Sequence, residues 1–392
     1  MSKVYAVYKY WKRWLVTFLA GSLTLPGCVV PLENSPGAVQ DIVVIEGFID
    51  DDFGPHQVKV TAIAPFVSIQ EGGAIRRLDA VVKIFDDLGN VTELSRITSQ
   101  RTELFPTPPN GGVCGIPGIR SYEIQSNYLT PRSFRGVPGR SYSLEVEIDE
   151  LDKTYRSSFV KLMPSVPIDS LFFEFRFIPG PNDLQPRFGV DVLGSWQDPG
   201  DTEDYYMWEF EGTYRLETFS LCNVGLGFEC AYDPRDDFGE ECWVVEQNVD
   251  ANLNLLSDTF FDGRRAVEKI GFIEDDAKRF SSNVVRSSRQ YHVKAEQYAV
   301  PKEAFDFYTV VGILSEIDGE IFDPPPVRPL GNILNIEEPS EIVIGYFGAF
   351  GKSTHSAFID RSVLLDRKFH GTCGDCRYFQ YNGQIEIPDV YR

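Results

Sequence analysis

Clustered carboxylates are the first candidate for chemistry in this chain. "DPGDTED" brings Asp198, Asp201 and Asp204 together, and "DPRDDFGEE" does the same for Asp233, Asp236 and Asp237. A third group, Asp50 to Asp52, sits in "IDDDFGP". Hard oxygen ligands gathered on short turns are what a calcium ion takes. The same side chains also form ordinary solvated turns by accepting hydrogen bonds from nearby backbone N–H groups. A structural calcium is therefore one reading of these stretches, and no other cofactor is implied.

Thiols come next. Besides Cys28 there are Cys114, Cys222, Cys230, Cys242, Cys373 and Cys376, an even set that in an exported chain predicts disulfides. Cys222, Cys230 and Cys242 are close enough in sequence to expect a local bridge. Cys373-Gly-Asp-Cys376 has the spacing of a redox pair but no βαβ pattern around it, so a structural bridge is expected. The histidines are His56, His292, His355 and His370. Only His370 lies near a cysteine pair, short of the four ligands of a zinc site.

"GAFGKSTH" (348–355) invites a phosphate-loop reading through Gly351, Lys352 and Ser353. That motif needs glycine at 346, where Tyr346 stands, and a helix after it to aim N–H groups at phosphate. Neither is present, so a strand and its turn are expected instead. No Gly-x-Ser-x-Gly elbow, His-Glu-x-x-His pair or EF-hand spacing occurs, and no catalytic residue is assigned. A hydrolase working through two carboxylates is kept as an alternative, because acids are abundant. Aromatic residues mostly alternate within strands and belong to cores. Phe53, Phe134 and Tyr232 fall on loops and are candidates for a binding rim.

The N-terminus gives an address. Lys3, Lys9, Lys12 and Arg13 precede an apolar run from Trp14 to Leu25, about the length of a secretory h-region. The run falls short of the ~20 residues that span a bilayer. Leu25-Pro26-Gly27-Cys28 resembles the bacterial lipobox, with Pro26 departing from the usual Ser, Ala or Thr. The resemblance implies that 1–27 is a lipoprotein signal peptide and that Cys28 is acylated through sulfur. Palmitate-type chains would then hold the mature protein to a membrane. Residues 28–41 read as a tether. Losing residues 1–27 removes four cations and no acid, which takes the formal charge from -21 to -25. A chain so acidic does not bind nucleic acid by charge.

The elements that must position these residues are mostly strands. "SYSLEVEI" puts Tyr142, Leu144, Val146 and Ile148 on one face. "YYMWEFEGTYRL" does the same for Tyr206, Trp208, Phe210, Tyr214 and Leu216. Two prolines in "MPSVPIDS" mark a linker. The fold expected is mainly β. An Ig-like or transthyretin-like sandwich at 42–165 precedes a fibronectin type III-like domain at 166–392, which carries an insert at 220–285. After Pro301, Phe307, Val310, Val311, Leu314 and Ile317 follow helical spacing, predicting a helix over 301–318.

"VVIEGFIDDDFGPHQVKV", "AVVKIFDDLGN", "PIDSLFFEF", "DTEDYYMWEFEGTY", "EAFDFY", "IFDPPPVRPLGNI", "GYFGAF" and the closing "CGDC" together resemble the Bacteroidota lipoproteins catalogued as domain of unknown function 4249. The resemblance spans essentially the whole mature chain and transfers no catalytic residue. It implies a non-catalytic role at the outer membrane, as the accessory or ligand-capturing partner of a TonB-dependent transporter in nutrient uptake. The small ligand and the face of the membrane stay open. An adhesion or envelope-structural module using Ig-like spacers is the other non-enzymatic alternative.

Overall fold

The computed structural model describes residues 42–63, 75–106, 117–178, 187–200, 202–217, 241–247, 253–275, 290–315, 329–360 and 387–391. In chain order its first strands are β1 (Ile42–Asp50), β2 (Gln57–Ile63), β3 (Ile75–Arg77), β4 (Val81–Asp86), β5 (Val91–Glu93), β6 (Ser95–Pro106) and β7 (Pro117–Leu129). Next come β8 (Ser141–Ile148), β9 (Lys153–Ser157), β10 (Val160–Lys161), β11 (Ile168–Ile178), β12 (Arg187–Gln197) and β13 (Tyr205–Glu217). The last are β14 (Glu241–Gln247), β15 (Asn254–Ser257), β16 (Arg265–Asp275), β17 (Gln290–Val300), β18 (Ile333–Asn335), β19 (Val343–Ile344) and β20 (Phe347–Asp360). One α-helix, Lys302–Ser315, occurs among the described residues. Among the described residues no helix is long and apolar enough to cross a membrane. The fold is mainly β, as the period-two alternation predicts.

An 11-stranded sheet in the order β14-β13-β17-β20-β1-β2-β7-β6 forms the backbone of the molecule. It contains strands from both sides of the Pro164–Pro167 linker, because β20 pairs with β17 on one edge and with β1, in parallel, on the other. Two smaller sheets cover one of its faces. The six-stranded sheet β18-β9-β8-β4-β5 closes a core with β1, β2 and the start of β20, around Ile45, Val60, Val82, Leu144 and Phe347. The three-stranded sheet β11-β12-β16 closes a second core with β13, β17 and the end of β20. Here Trp196 is fully buried, with ring centroids of Tyr206, Trp208 and Phe261 at 5.4, 5.4 and 5.5 Å. Gly212 leaves the gap that lets Tyr291 stack on Tyr214 at 5.6 Å, since a Cβ there would lie 1.8 Å from the Tyr291 hydroxyl.

The helix packs on the opposite face. Its first carbonyl, that of Pro301, accepts from the Phe305 N–H at 3.1 Å. Ala304 and Phe307 are buried, and Phe305, Tyr308 and Val311 join them against Met207, Tyr298, Tyr346 and Phe350. The buried side is thus turned toward Ala304 and Tyr308 relative to the stripe read from the sequence. Aromatic rings on the sheet supply the surface that decides the rotation, and they lie far away in sequence.

Candidate functional site

Strand alternation that sends Tyr206, Trp208 and Phe210 into the second core necessarily sends Glu209 to the helix side. Register then lines up a row of charge across four strands. Glu209 stands opposite Glu296, Tyr298 opposite Lys352, and Phe350 opposite Asp50. Lys352 is the hub. Its Nζ lies 3.1 Å from Glu296 Oε1, 3.7 Å from Asp52 Oδ2 and 3.8 Å from Asp50 Oδ2, and 5.8 Å from the Tyr298 ring centroid. Tyr298 donates its hydroxyl to Glu296 Oε2 at 3.0 Å, and Lys294 reaches the same carboxylate at 3.2 Å. Behind Asp50 lies His56, with Nδ1 3.7 Å from Asp50 Oδ1 and its backbone N–H donating to Thr130 Oγ1 at 2.8 Å.

Burial and charge split the protonation of this row. Burial alone would lower the Lys352 ammonium, but Glu296 and Asp50 outweigh it and hold it above the usual lysine value. Burial would raise Glu296, yet Lys352 and Lys294 hold it below the carboxylate range. At Glu209 burial and then the Glu296 charge outweigh the Lys352 and Lys59 charges and the Tyr298 hydroxyl, and push it up. Burial raises Asp50 and lowers His56, keeping the imidazole neutral.

The phosphate-like stretch is accounted for residue by residue. Gly351 lets the linker cross β20, because a Cβ there would meet Met163 O at 2.4 Å. Lys352 is the hub just described, and its N–H donates to Asp51 Oδ1 at 2.6 Å. Ser353 Oγ accepts the Ile168 N–H at 2.9 Å, fixing the start of β11. Asp50 to Asp52 therefore do not gather into a cation site. They are held by Lys352 and by the Asp52 N–H, which donates to Asp50 Oδ1 at 2.8 Å.

Of the acids read as calcium ligands, Asp198 and Asp204 do come close to others, at the turn after β15. One carboxylate oxygen each from Asp198, Asp258 and Asp262 lies within 4.8 Å of the others. Asp204 is tied in through its N–H, which donates to Asp258 Oδ2 at 2.9 Å. Asp198 is 2% exposed and Asp258 5%. Asp198 already accepts from the Tyr206 hydroxyl at 2.6 Å and the Gly263 N–H at 3.1 Å, but burial still raises it, as it raises Asp204. Sequence reading missed Asp258 and Asp262. Their only local signal is the pattern Asp258-x-x-x-Asp262-Gly263 of a tight turn.

Asp201, Asp233, Asp236 and Asp237 lie outside the described residues, as do Cys28, Cys114, Cys222, Cys230, Cys373 and Cys376. Cys242 falls in β14. Among the loop aromatics, Phe53 is 69% exposed, Phe134 packs against the first core, and Tyr232 is outside the described residues.

No curated protein and no solved structure matches the chain. A family model described as Domain of unknown function (DUF4249) matches residues 29–356. Its span takes in the row around Lys352, the aspartate turn and the strands that position both, so the chain belongs to the DUF4249 family.

Proposed function

We propose that the protein is a lipid-anchored lipoprotein of the outer membrane that partners a TonB-dependent transporter in capturing a nutrient, and that it is not an enzyme. The observation that carries this reading is positional. The family match opens at residue 29, directly after the cysteine that the lipobox-like segment would make the first residue of the mature chain. The stretch matched by the family thus begins where the lipobox-like segment would end. In the same reading the two cores are an Ig-like or transthyretin-like and a fibronectin type III-like sandwich, and Cys222, Cys230 and Cys242 belong to a disulfide-bearing segment.

Intact-mass analysis of the protein from its native envelope is expected to give a chain starting at Cys28 and carrying fatty acid. Pull-down through a C-terminal tag in mild detergent is expected to recover a TonB-dependent receptor. An unacylated N-terminus at another residue removes the address, and recovery of no receptor removes the partnership.

A structural calcium at the aspartate turn belongs to this reading as well. Asp198 and Asp204 have raised pKa values, so they stabilise the fold only as pH falls toward their folded values and destabilise it at neutral pH. A divalent cation held by Asp198, Asp258 and Asp262 would offset the burial of these charges. Added calcium is expected to raise the melting temperature at pH 7 and to leave Asp258→Asn unchanged. A melting temperature indifferent to calcium and to chelator in the wild type removes the ion.

The hydrolase alternative has one observation in its favour, the raised Glu209 beside the lowered Glu296. Lys352 at 3.1 Å, however, already occupies the carboxylate that would act as nucleophile. Glycoside hydrolysis lost in Glu209→Gln would revive it.

A further inference from the structure

Among the described residues positive charge is mostly neutralised by the protein's own acids. Lys59, Lys83, Arg140, Arg156 and Lys269, for example, each contact a carboxylate. Among the described residues Arg132, Arg135, Lys161 and Arg264 make no ion pair. Three of those four converge on the 131–140 loop. Arg132 and Arg135 lie on it, and Lys161 flanks it, paired with Ser141 in the β10–β8 register. Leu162 next to Lys161 accepts the Gly139 N–H at 2.9 Å and donates to Arg140 O at 2.8 Å.

This loop is built, not loose. Gly136 N–H donates to Asp50 O at 2.9 Å, and Gly54 N–H donates to Phe134 O at 2.8 Å. Arg135 is doubly fixed. Its Nε donates to Asp51 O at 2.7 Å, and its guanidinium lies 5.5 Å from the centroid of the Phe53 ring. Arg135 is itself exposed, and so are two apolar side chains of the same loops, Phe53 at 69% and Val137 at 51%. The neighbouring acids have cationic or N–H partners of their own, Asp51 accepting the Lys352 N–H at 2.6 Å and Asp52 lying 3.7 Å from the Lys352 ammonium.

We infer that Arg132, Arg135 and Lys161, with Phe53 and Val137, form the face on which the protein docks an acidic segment of a partner protein, one that sets Asp or Glu beside apolar side chains. A planar guanidinium held in one orientation suits bidentate carboxylate recognition, and flanking Phe and Val suit apolar neighbours of that carboxylate. Charge complementarity is local, since a cationic face on a chain of net charge -21 selects an anionic partner where the rest of the surface repels it.

The assignment rests on the reading that the protein works by docking a partner. The test places a photo-crosslinking residue at Val137 of the full-length protein in its native envelope. The crosslinked peptide is expected to come from another protein and to carry Asp or Glu beside apolar residues. Its yield is expected to fall about tenfold in Arg132→Glu/Arg135→Glu, the loss of a coupled pair worth roughly 1.4 kcal/mol. Arg132→Glu alone keeps the test clean if the double variant melts lower, because that side chain makes no ion pair. Crosslinks to lipid or glycan only, no crosslink, or a yield indifferent to charge reversal overturns the docking face. A crosslinked acidic segment from a protein other than a TonB-dependent receptor leaves the docking face standing and removes the transporter from the proposed function.

Discussion

Lys352→Met is expected to lower folding stability by about 3–5 kcal/mol at neutral pH, the range for removing one partner of a buried ion pair. The side chain is 15% exposed and its partner Glu296 18%, so water compensates little of the loss. The pH dependence identifies the cause. Lys352 sits above its unfolded value, so its contribution is complete below the ordinary lysine pKa and fades only as pH rises through the folded one. Glu296 sits below its unfolded value, so its contribution is present above the ordinary glutamate pKa and fades as pH falls through the folded one. Without the ammonium, Glu296, Asp50 and Glu209 are left as a carboxylate row with Lys294 at one end. Protonation relieves that row, so the deficit of the variant is expected to shrink toward about pH 4 to 5. Lys352→Met/Glu296→Gln should regain most of the loss, because a neutral pair of similar volume leaves no buried charge without a partner. Urea titrations across pH check this. A single variant within about 1 kcal/mol of wild type at pH 7, or a deficit flat with pH, would show that the row is not held by Lys352.

How much of this was readable beforehand depends on the distance over which each feature is encoded. Period-two alternation in "SYSLEVEI" and "YYMWEFEGTYRL" is local, and Tyr142, Leu144, Val146, Tyr206, Trp208 and Phe210 are buried as that alternation requires. Ser143 and Glu145, on the other face, are buried as well. Ser143 donates to Ser157 O at 3.0 Å and Glu145 pairs with Arg156, partners that the alternation cannot name. Non-local pairing carried the rest. β1 meets β20 in parallel across most of the chain, and that single pairing creates both the long sheet and the setting of Lys352. Asp198 meets Asp258 and Asp262 for the same kind of reason, because β12 and β16 are neighbours in the small sheet. The glycine, lysine and serine of "GAFGKSTH" were conspicuous as a motif, whereas each answers to a different distant neighbour.

The largest effect is expected where three stretches of backbone touch. Gly345 has φ 124°, and a Cβ there would lie 1.8 Å from Ile45 O. Gly331 presses on Gly345 in turn, with a Cβ 1.7 Å from its carbonyl oxygen. Between them Asn332 acts as a piece of strand. Its Nδ2 donates to Phe347 O at 2.9 Å and its Oδ1 accepts the Phe347 N–H at 2.9 Å. Together these contacts stop β19 and start β20, and the start of β20 is what joins β1 and β2 to β17 in one sheet. Neither Gly345→Ala nor Gly331→Ala can be absorbed by rotating a side chain, since the obstructing atoms are main-chain carbonyls. Each is expected to destabilise by more than about 4 kcal/mol, seen as loss of soluble folded protein. Gly89→Ala and Gly139→Ala separate strain from collision. Both positions have positive φ, 83° and 85°, with nothing within 4 Å of a Cβ, so about 1–2 kcal/mol of left-handed strain is all that alanine adds. If Gly345→Ala unfolds at the same urea concentration as Gly139→Ala, the close approach of Ile45, Gly331 and Gly345 is not what fixes the junction of β1 and β20.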